Sequence, residues 1–256
     1  MKKYLKEDET SSIEMYHVTK VEEYIELVIE ITRNSNFVFR GQRRQFPLIP
    51  SIGRDKNITT WSESEERVFE VFKREALPFL EYIPNSEWQW LAVAQHNGLP
   101  TRLLDWTRNP LVALWFAVCK PDEDSPAGVV WAFSYDKSRI INYDLNSTSP
   151  FSIQDTYLYF PDHVFPYIQA QSGVFTIHHR QKSNNEFVPF ERTKDAVRLL
   201  KKIEISAGTF GEIRQKLFRL GINAASVFPG LVGVVERIKS QCEFCIDEQG
   251  TLIPLI

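Results

Sequence analysis

Cysteine is scarce: Cys119, Cys242 and Cys245 are the only three in 256 residues. An odd, small number excludes a disulfide framework and points to a reducing compartment, so the chain is read as cytoplasmic. Long hydrophobic runs are lacking too. No stretch approaches the ~20 apolar residues that span a bilayer, and the N-terminus, MKKYLKEDETSS, has no hydrophobic h-region and is no signal peptide. Charge of one sign is lacking: 30 basic residues face 33 acidic ones, for a net charge of −3. That removes a whole-chain electrostatic case for nucleic acid and leaves a local basic patch open. There is no GxxxxGK[ST] and no GxGxxG, so no phosphate-cradling loop of those kinds. There is no GxSxG nucleophile elbow, and no internal repeat or low-complexity tract.

What is present is an ordinary globular profile, 43% hydrophobic and 25% charged, with 18 Phe and 6 Trp. A chain of this length buries enough surface for a sizeable core without staples. The expected organisation is a tail and helix over 1–35, a main domain over 36–238 and a C-terminal extension over 239–256.

Helical spacing of Val21, Tyr24, Ile25 and Val28 after a Thr19–Glu22 capping box predicts a helix over 20–33. Ser62–Glu65 predicts a second capped helix through Ala76. Ser86 should cap EWQWLAVAQHN, which Gly98 stops. Asn109-Pro110 opens LVALWFAVC, apolar on every side and therefore expected to be central and buried. Strands are expected at 36–42, 128–135, 173–179 and 200–206, and an amphipathic helix at 211–221. Residues 136–165 and 181–196 read as loops, and Gln95–Thr107 as a polar stretch between two apolar helices. Leu231, Val234, Val235, Ile238, Cys242 and Cys245 share one stripe of a last helix, so the Cys-x-x-Cys pair is expected to pack in a core rather than hold zinc. The fold class is α+β: a helical N-terminal part packed on a mixed or antiparallel sheet.

Three stretches could carry chemistry. In Phe39-Arg40-Gly41-Gln42, a guanidinium ends a buried strand, which is costly unless it is paired or bound to an anion. Gly41 permits a tight exit or the close approach of a ligand, and Arg43, Arg44 and Arg54 add charge nearby. Phosphate, or a structural pairing with Asp105, would each satisfy Arg40. The second stretch runs from Gln95 to Thr107. His96 could act as a base, an orienter or a helix C-terminal cation. Thr101 and Thr107 supply hydroxyls, Asp105 is the partner for Arg40 or Arg102, and Trp106 offers a stacking face. In the third, Gln171 leads into a strand and should face a cleft. His178 and His179 point to opposite sides of that strand, so with His96 they do not make a metal site. No metal is expected.

Together, FRGQ at 39–42, QHNGLPTRLLDWTRNPLVALWFA at 95–117, QAQSGVFTIH at 169–178 and FPGLVG at 228–233 resemble the FRG domain family. That arrangement in turn resembles, distantly, the ADP-ribosyltransferase fold. The resemblance implies an ADP-ribosyltransferase-like core and NAD as a co-substrate, with no prosthetic group. It implies an intracellular effector, such as a toxin or a phage-defence protein, with a protein or nucleic-acid target and no membrane partner. Carried over by position, Arg40 matches the first motif, Thr101 or Thr107 the second, and Gln171 lies where the third begins. The catalytic set is then Arg40, Asp105 and Gln171. The cofactor-binding set is Arg40, Gly41, His96, Thr101, Arg102 and Trp106. The family's catalytic Glu has no counterpart at Gln171; Glu186, Glu191, Glu204 and Asp105 are the available carboxylates. A non-catalytic nucleotide or nucleic-acid binding module is the alternative, as is a buried Arg40–Asp105 pair that merely pins the strand to the central helix.

Overall fold

The structure, a computed structural model, describes residues 13–54, 64–120, 127–141, 148–162, 166–181 and 186–244. Seven strands form a single mixed sheet. They are β1 (Glu14–Val18), β2 (Asn36–Gln42), β3 (Leu103–Thr107), β4 (Ala127–Tyr135), β5 (Tyr157–Tyr159), β6 (Gly173–Ile177) and β7 (Leu200–Ser206), in the order β1-β7-β4-β2-β3-β6-β5. β1 runs parallel to β7, and every other pairing is antiparallel. The helices are α1 (Val21–Thr32), α2 (Glu65–Ala76), α3 (Glu87–His96), α4 (Pro110–Val118), α5 (Pro166–Ala170), α6 (Ala196–Leu199), α7 (Phe210–Arg219), α8 (Ala224–Val227) and α9 (Leu231–Phe244). No helix among the described residues is long and apolar enough to cross a membrane.

β4 shows how the sequence builds two faces. Its alternation sends Val130 and Ala132 into one core and Val129, Trp131 and Phe133 into another. The first core is roofed by α1, α4 and α7 through Tyr24, Leu27, Ala113, Ala117, Ile213 and Leu217. The second is closed by Leu48 and Phe190. A third lies where α2 and α3 meet β3 and β6, around Phe69, Trp88, Leu91, Leu103 and Ile177.

Two glycines set how closely α4 lies on the sheet. A Cβ built on Gly41 would stand 1.8 Å from the Ala113 carbonyl oxygen, and one on Gly128 would stand 2.4 Å from that of Ala117. The close approach that Gly41 permits is thus to the protein's own helix, not to a ligand.

Several expectations need correction. Residues 103–107 form a central strand rather than a polar connection between two helices, because Leu104 and Trp106 alternate with Leu103, Asp105 and Thr107 along it. The 136–165 stretch contains the short β5, and 181–196 runs into α6. Strands interleave with helices from residue 14 onward, although helices outweigh strands before β4. Glu23, not Glu22, accepts from the Thr19 amide (3.0 Å) and hydroxyl (3.1 Å). Ser62 lies outside the described residues, and Glu65 turns inward instead of capping α2. The caps at Ser86 and Asn109 do form, and Gly98 and Gly221 take the positive φ that ends α3 and α7.

Trp115 and Phe116 leave α4 only partly buried. The α9 stripe faces water: Leu231 is 83% exposed, and Val234, Val235 and Ile238 are also exposed. Cys245, and hence the Cys-x-x-Cys pair, lies outside the described residues.

Gly41→Ala is expected to cost about 3 kcal/mol, the upper end of overpacking, because the new methyl meets a helix carbonyl rather than a flexible side chain. A midpoint shift in urea unfolding measures it, and an unchanged midpoint would contradict the packing described.

Candidate functional site

β2 and β3 register at one pair only, Phe39 with Thr107, while β2 pairs with β4 along its whole length. Beyond that pair the ladder between β2 and β3 stops. Arg40 takes over there: its Nη1 donates to the Asp105 carbonyl oxygen at 2.5 Å and lies 3.7 Å from Asp105 Oδ2. The Arg40 side chain is 15% exposed and that of Asp105 is 56% exposed. The two are therefore not a buried ion pair, and Asp105 sits on the neighbouring strand rather than on the central helix. Arg40 Nε is buried with no hydrogen-bond partner among the described residues. Burial pulls the Arg40 guanidinium down to about 10; Asp105 opposes this and Arg54 adds to it. Arg54 is lowered by burial as well, again opposed by Asp105, and its Nε donates to the Ile49 carbonyl at 2.9 Å. Two cations thus converge on one carboxylate.

Asp105 is held from the other side by Gln95, whose Nε2 lies 3.2 Å from both carboxylate oxygens. Thr101 decides the orientation of that amide. Its buried hydroxyl donates to Gln95 Oε1 at 2.6 Å and accepts from the Leu103 amide at 3.1 Å, so the NH2 end must face Asp105. Thr101 is therefore a positioning residue that does not itself reach the cleft.

Asp105 opens into a cleft of about 480 Å³ that Gln95, His96, Trp106, Gln171, Tyr167 and Phe228 help to line. Segments far apart in the chain, 95–106, 167–175 and Phe228, thus share one hollow. The His96 ring stands 5.0 Å from that of Tyr167. Burial lowers its pKa and Asp105 opposes the shift. Gln171 Nε2 donates to the Val227 carbonyl at 3.3 Å, and the Gln171 carbonyl accepts from the Thr107 hydroxyl. Among the shortlisted carboxylates, Asp105 alone lines the cleft. Glu191 accepts from the Leu48 amide at 2.9 Å, and Glu204 pairs with Lys202 at 2.6 Å.

Two sequence candidates are used elsewhere. Arg102 forms a buried ion pair with Glu65, with Nη2 to Oε2 at 2.6 Å, lies over the Phe151 ring and donates to the Pro150 carbonyl. Trp106 is buried, packs on Phe133 and donates from Nε1 to Thr176 Oγ1 at 2.9 Å. Its edge and that of the buried Phe175 reach the cleft, but the more open aromatic walls are Tyr167 and Phe228. Residue-level reading missed these, although both sit beside the QAQSG and FPG stretches. Below the sheet, Thr176 Oγ1 stands 2.8 Å from His178 Nε2. Burial lowers His178 to about 3, with His179 and Arg40 acting in the same direction.

Residues 35–125 match the family model of the FRG domain. The chain carries an FRG domain. No curated protein and no solved structure matches the chain. The matched stretch of the FRG domain includes Arg40, Gln95, His96 and Asp105, whereas Tyr167, Gln171 and Phe228 lie beyond it.

Arg102 and Asp105 should separate in stability. Arg102→Ala leaves the buried Glu65 only the more distant Arg180, at 3.8 Å, and is expected to cost about 3 kcal/mol, the lower end for a broken buried pair. Asp105→Asn, at a half-exposed position, should stay within about 1 kcal/mol. Urea unfolding of both variants checks this, and equal losses would contradict it.

His178 gives a pH signature. Its folded pKa lies below the ordinary 6.5, so the unfolded chain binds the extra proton. Its contribution is present above 6.5 and is lost as pH falls from there toward 3. Between pH 7 and 5 it should remove about 2 kcal/mol. Urea unfolding at both pH values measures the loss, and His178→Gln should shrink it.

Proposed function

We propose that the cleft takes a nucleotide, with NAD as the co-substrate, and that Asp105 drives cleavage of its N-glycosidic bond in an ADP-ribosyltransferase-like reaction. The observation that carries this reading is Asp105 itself: a half-exposed carboxylate at the floor of an aromatic-walled cleft, fixed by Gln95 and by Arg40. In that place it lies where positive charge would develop on a bound ribose.

The roles follow from chemistry. The Arg40 and Arg54 guanidiniums, in excess over the one carboxylate, suit a phosphate oxygen beside Asp105. Tyr167 and Phe228 offer rings for a base. As the C1′–N bond breaks, its electron pair goes to the nicotinamide nitrogen, which leaves neutral. Asp105 stabilises the oxocarbenium character on C1′. An acceptor oxygen or nitrogen then bonds to C1′, and its proton passes to His96, whose lowered pKa keeps it neutral and basic at pH 7. The carboxylate stands on β3 rather than after Gln171, and Gly41, Thr101 and Arg102 serve the protein's own packing, all departures from the pattern the resemblance implies. A binding module without chemistry is the second reading, and the cleft's aromatic walls, with Arg40 and Arg54 beside Asp105, favour it equally.

Incubation of the chain with NAD and cell lysate should release nicotinamide. Asp105→Asn should cut the rate by at least about 100-fold while leaving the thermal midpoint unchanged. His96→Ala should lower kcat and remove an acid limb below pH 6.5. Absence of turnover by the unaltered chain removes the catalytic reading, and NAD binding without turnover leaves the binding module.

A further inference from the structure

Gln171 lines the cleft with Asp105 but takes no part in the proposed reaction. Its main chain is anchored on both sides. The Gln171 carbonyl accepts from the Thr107 hydroxyl, and its amide donates to the Tyr167 carbonyl at 2.9 Å. Thr107 stands two residues along β3 from Asp105 and on the same face. About 7 Å of strand therefore separates Asp105 from the residue that holds Gln171.

The donors of the lining are spent on the protein itself. The Gln95 NH2 bridges both Asp105 oxygens, and its Oε1 accepts from Thr101. The Trp106 indole N–H goes to Thr176. Gln171 Nε2 donates to the Val227 carbonyl at 3.3 Å. A carbonyl can only accept, so this amide cannot be turned round. Its Oε1 has no hydrogen-bond partner among the described residues and is not buried. What the cleft offers to the edge of a bound ring is thus a pair of acceptors, the Asp105 carboxylate and Gln171 Oε1. The Tyr167 hydroxyl and the His96 ring can each give or accept, so neither biases the choice.

We propose that Gln171 is a specificity-determining residue: its Oε1 accepts from the carboxamide NH2 of nicotinamide, so the cleft takes the amide form of the dinucleotide and rejects the acid form. This rests on the proposed reaction, which puts the C1′–N bond at Asp105 and hence the nicotinamide ring in the cleft. The N–H groups of a carboxamide meet an acceptor. A carboxylate in the same place has no proton to give, and its charge would face Gln171 Oε1 and add to that of Asp105. The aromatic walls touch the ring face in both forms and do not tell them apart. Arg40 and Arg54 act at the Asp105 end, where the reaction uses them for phosphate.

Calorimetric titration of the full chain with NAD and with nicotinic acid adenine dinucleotide, which differ only in that group, tests it. NAD should bind at least about tenfold more tightly, as one lost hydrogen bond with added like charge would give. Gln171→Met keeps the side-chain length and removes Oε1. It should weaken NAD by about tenfold and bring the two ligands within about threefold of each other. Gln171→Lys supplies donors in the same place and should reverse the preference. The Thr107 bond goes to the Gln171 main chain, so neither variant removes it, and thermal midpoints check that both stay folded. Equal binding of the two ligands to the unaltered chain would overturn the proposal, as would a preference for NAD that survives in Gln171→Met. Either result leaves the proposed reaction standing where nicotinamide is still released. NAD binding with this preference but without release removes the reaction and keeps the role of Gln171. Binding of neither ligand removes both.

Discussion

A single guanidinium bridges the place where two central strands part. β2 and β3 share only the Phe39–Thr107 pair, and the next β3 carbonyl available on that side, at Asp105, takes its proton from Arg40 Nη1. That bond stands where the backbone ladder has ended, so the side chain takes the place of the missing backbone partner. The consequence reaches past the sheet. By gripping the Asp105 main chain, Arg40 fixes the direction in which that residue's carboxylate leaves the strand. With Gln95 locked by Thr101 on the other side, the carboxylate has few orientations left. Preorganisation of this kind is what separates a reactive group from a merely exposed one.

The same geometry explains why so much positive charge is tolerated near the sheet. Arg40 falls to about 10 and so stays charged at neutral pH, though at a cost from burial that Asp105 offsets only in part. Arg54 is also lowered by burial, again opposed by Asp105. Arg102, by contrast, is fully answered: Glu65, two carbonyls and the Phe151 ring all receive it. Two arginines on or beside neighbouring strands thus have different fates. One is neutralised inside the protein and holds α2 to the core. The other keeps a buried Nε without a partner beside a half-open carboxylate.

How legible this was in the sequence depended on range. Local chemistry read well: the Ser86 and Asn109 caps, the glycines ending α3 and α7, and the alternation of β4 are all decided within a few residues. β3 did not read as a strand, because its five residues carry Asp105 at the centre and stand between two strong helical signals. Only pairing with β6 makes it extended. Arg40 and Asp105 were recognisable as partners, but the exposure of Asp105 was not, since it depends on where Tyr167 and Phe228 arrive. The α9 stripe misled for a related reason. Apolar spacing at helical period gives a face, and it does not say whether anything lies against that face.

The division of labour along the chain follows from these placements. The stretch matching the FRG domain, 35–125, contributes the polar lining, Gln95, His96 and Asp105, with Arg40 gripping Asp105 from behind. The walls come later, from Tyr167, Gln171, Phe175 and Phe228. The polar lining alone would present a solvated carboxylate, whose interactions water would screen. Walls alone would be an apolar slot with no directed charge. Phe228 carries the most weight among the walls, because its ring meets Trp115, Phe116 and Tyr167 at once. It therefore joins the wall of the Asp105 cleft to the end of α4 through one packed side chain.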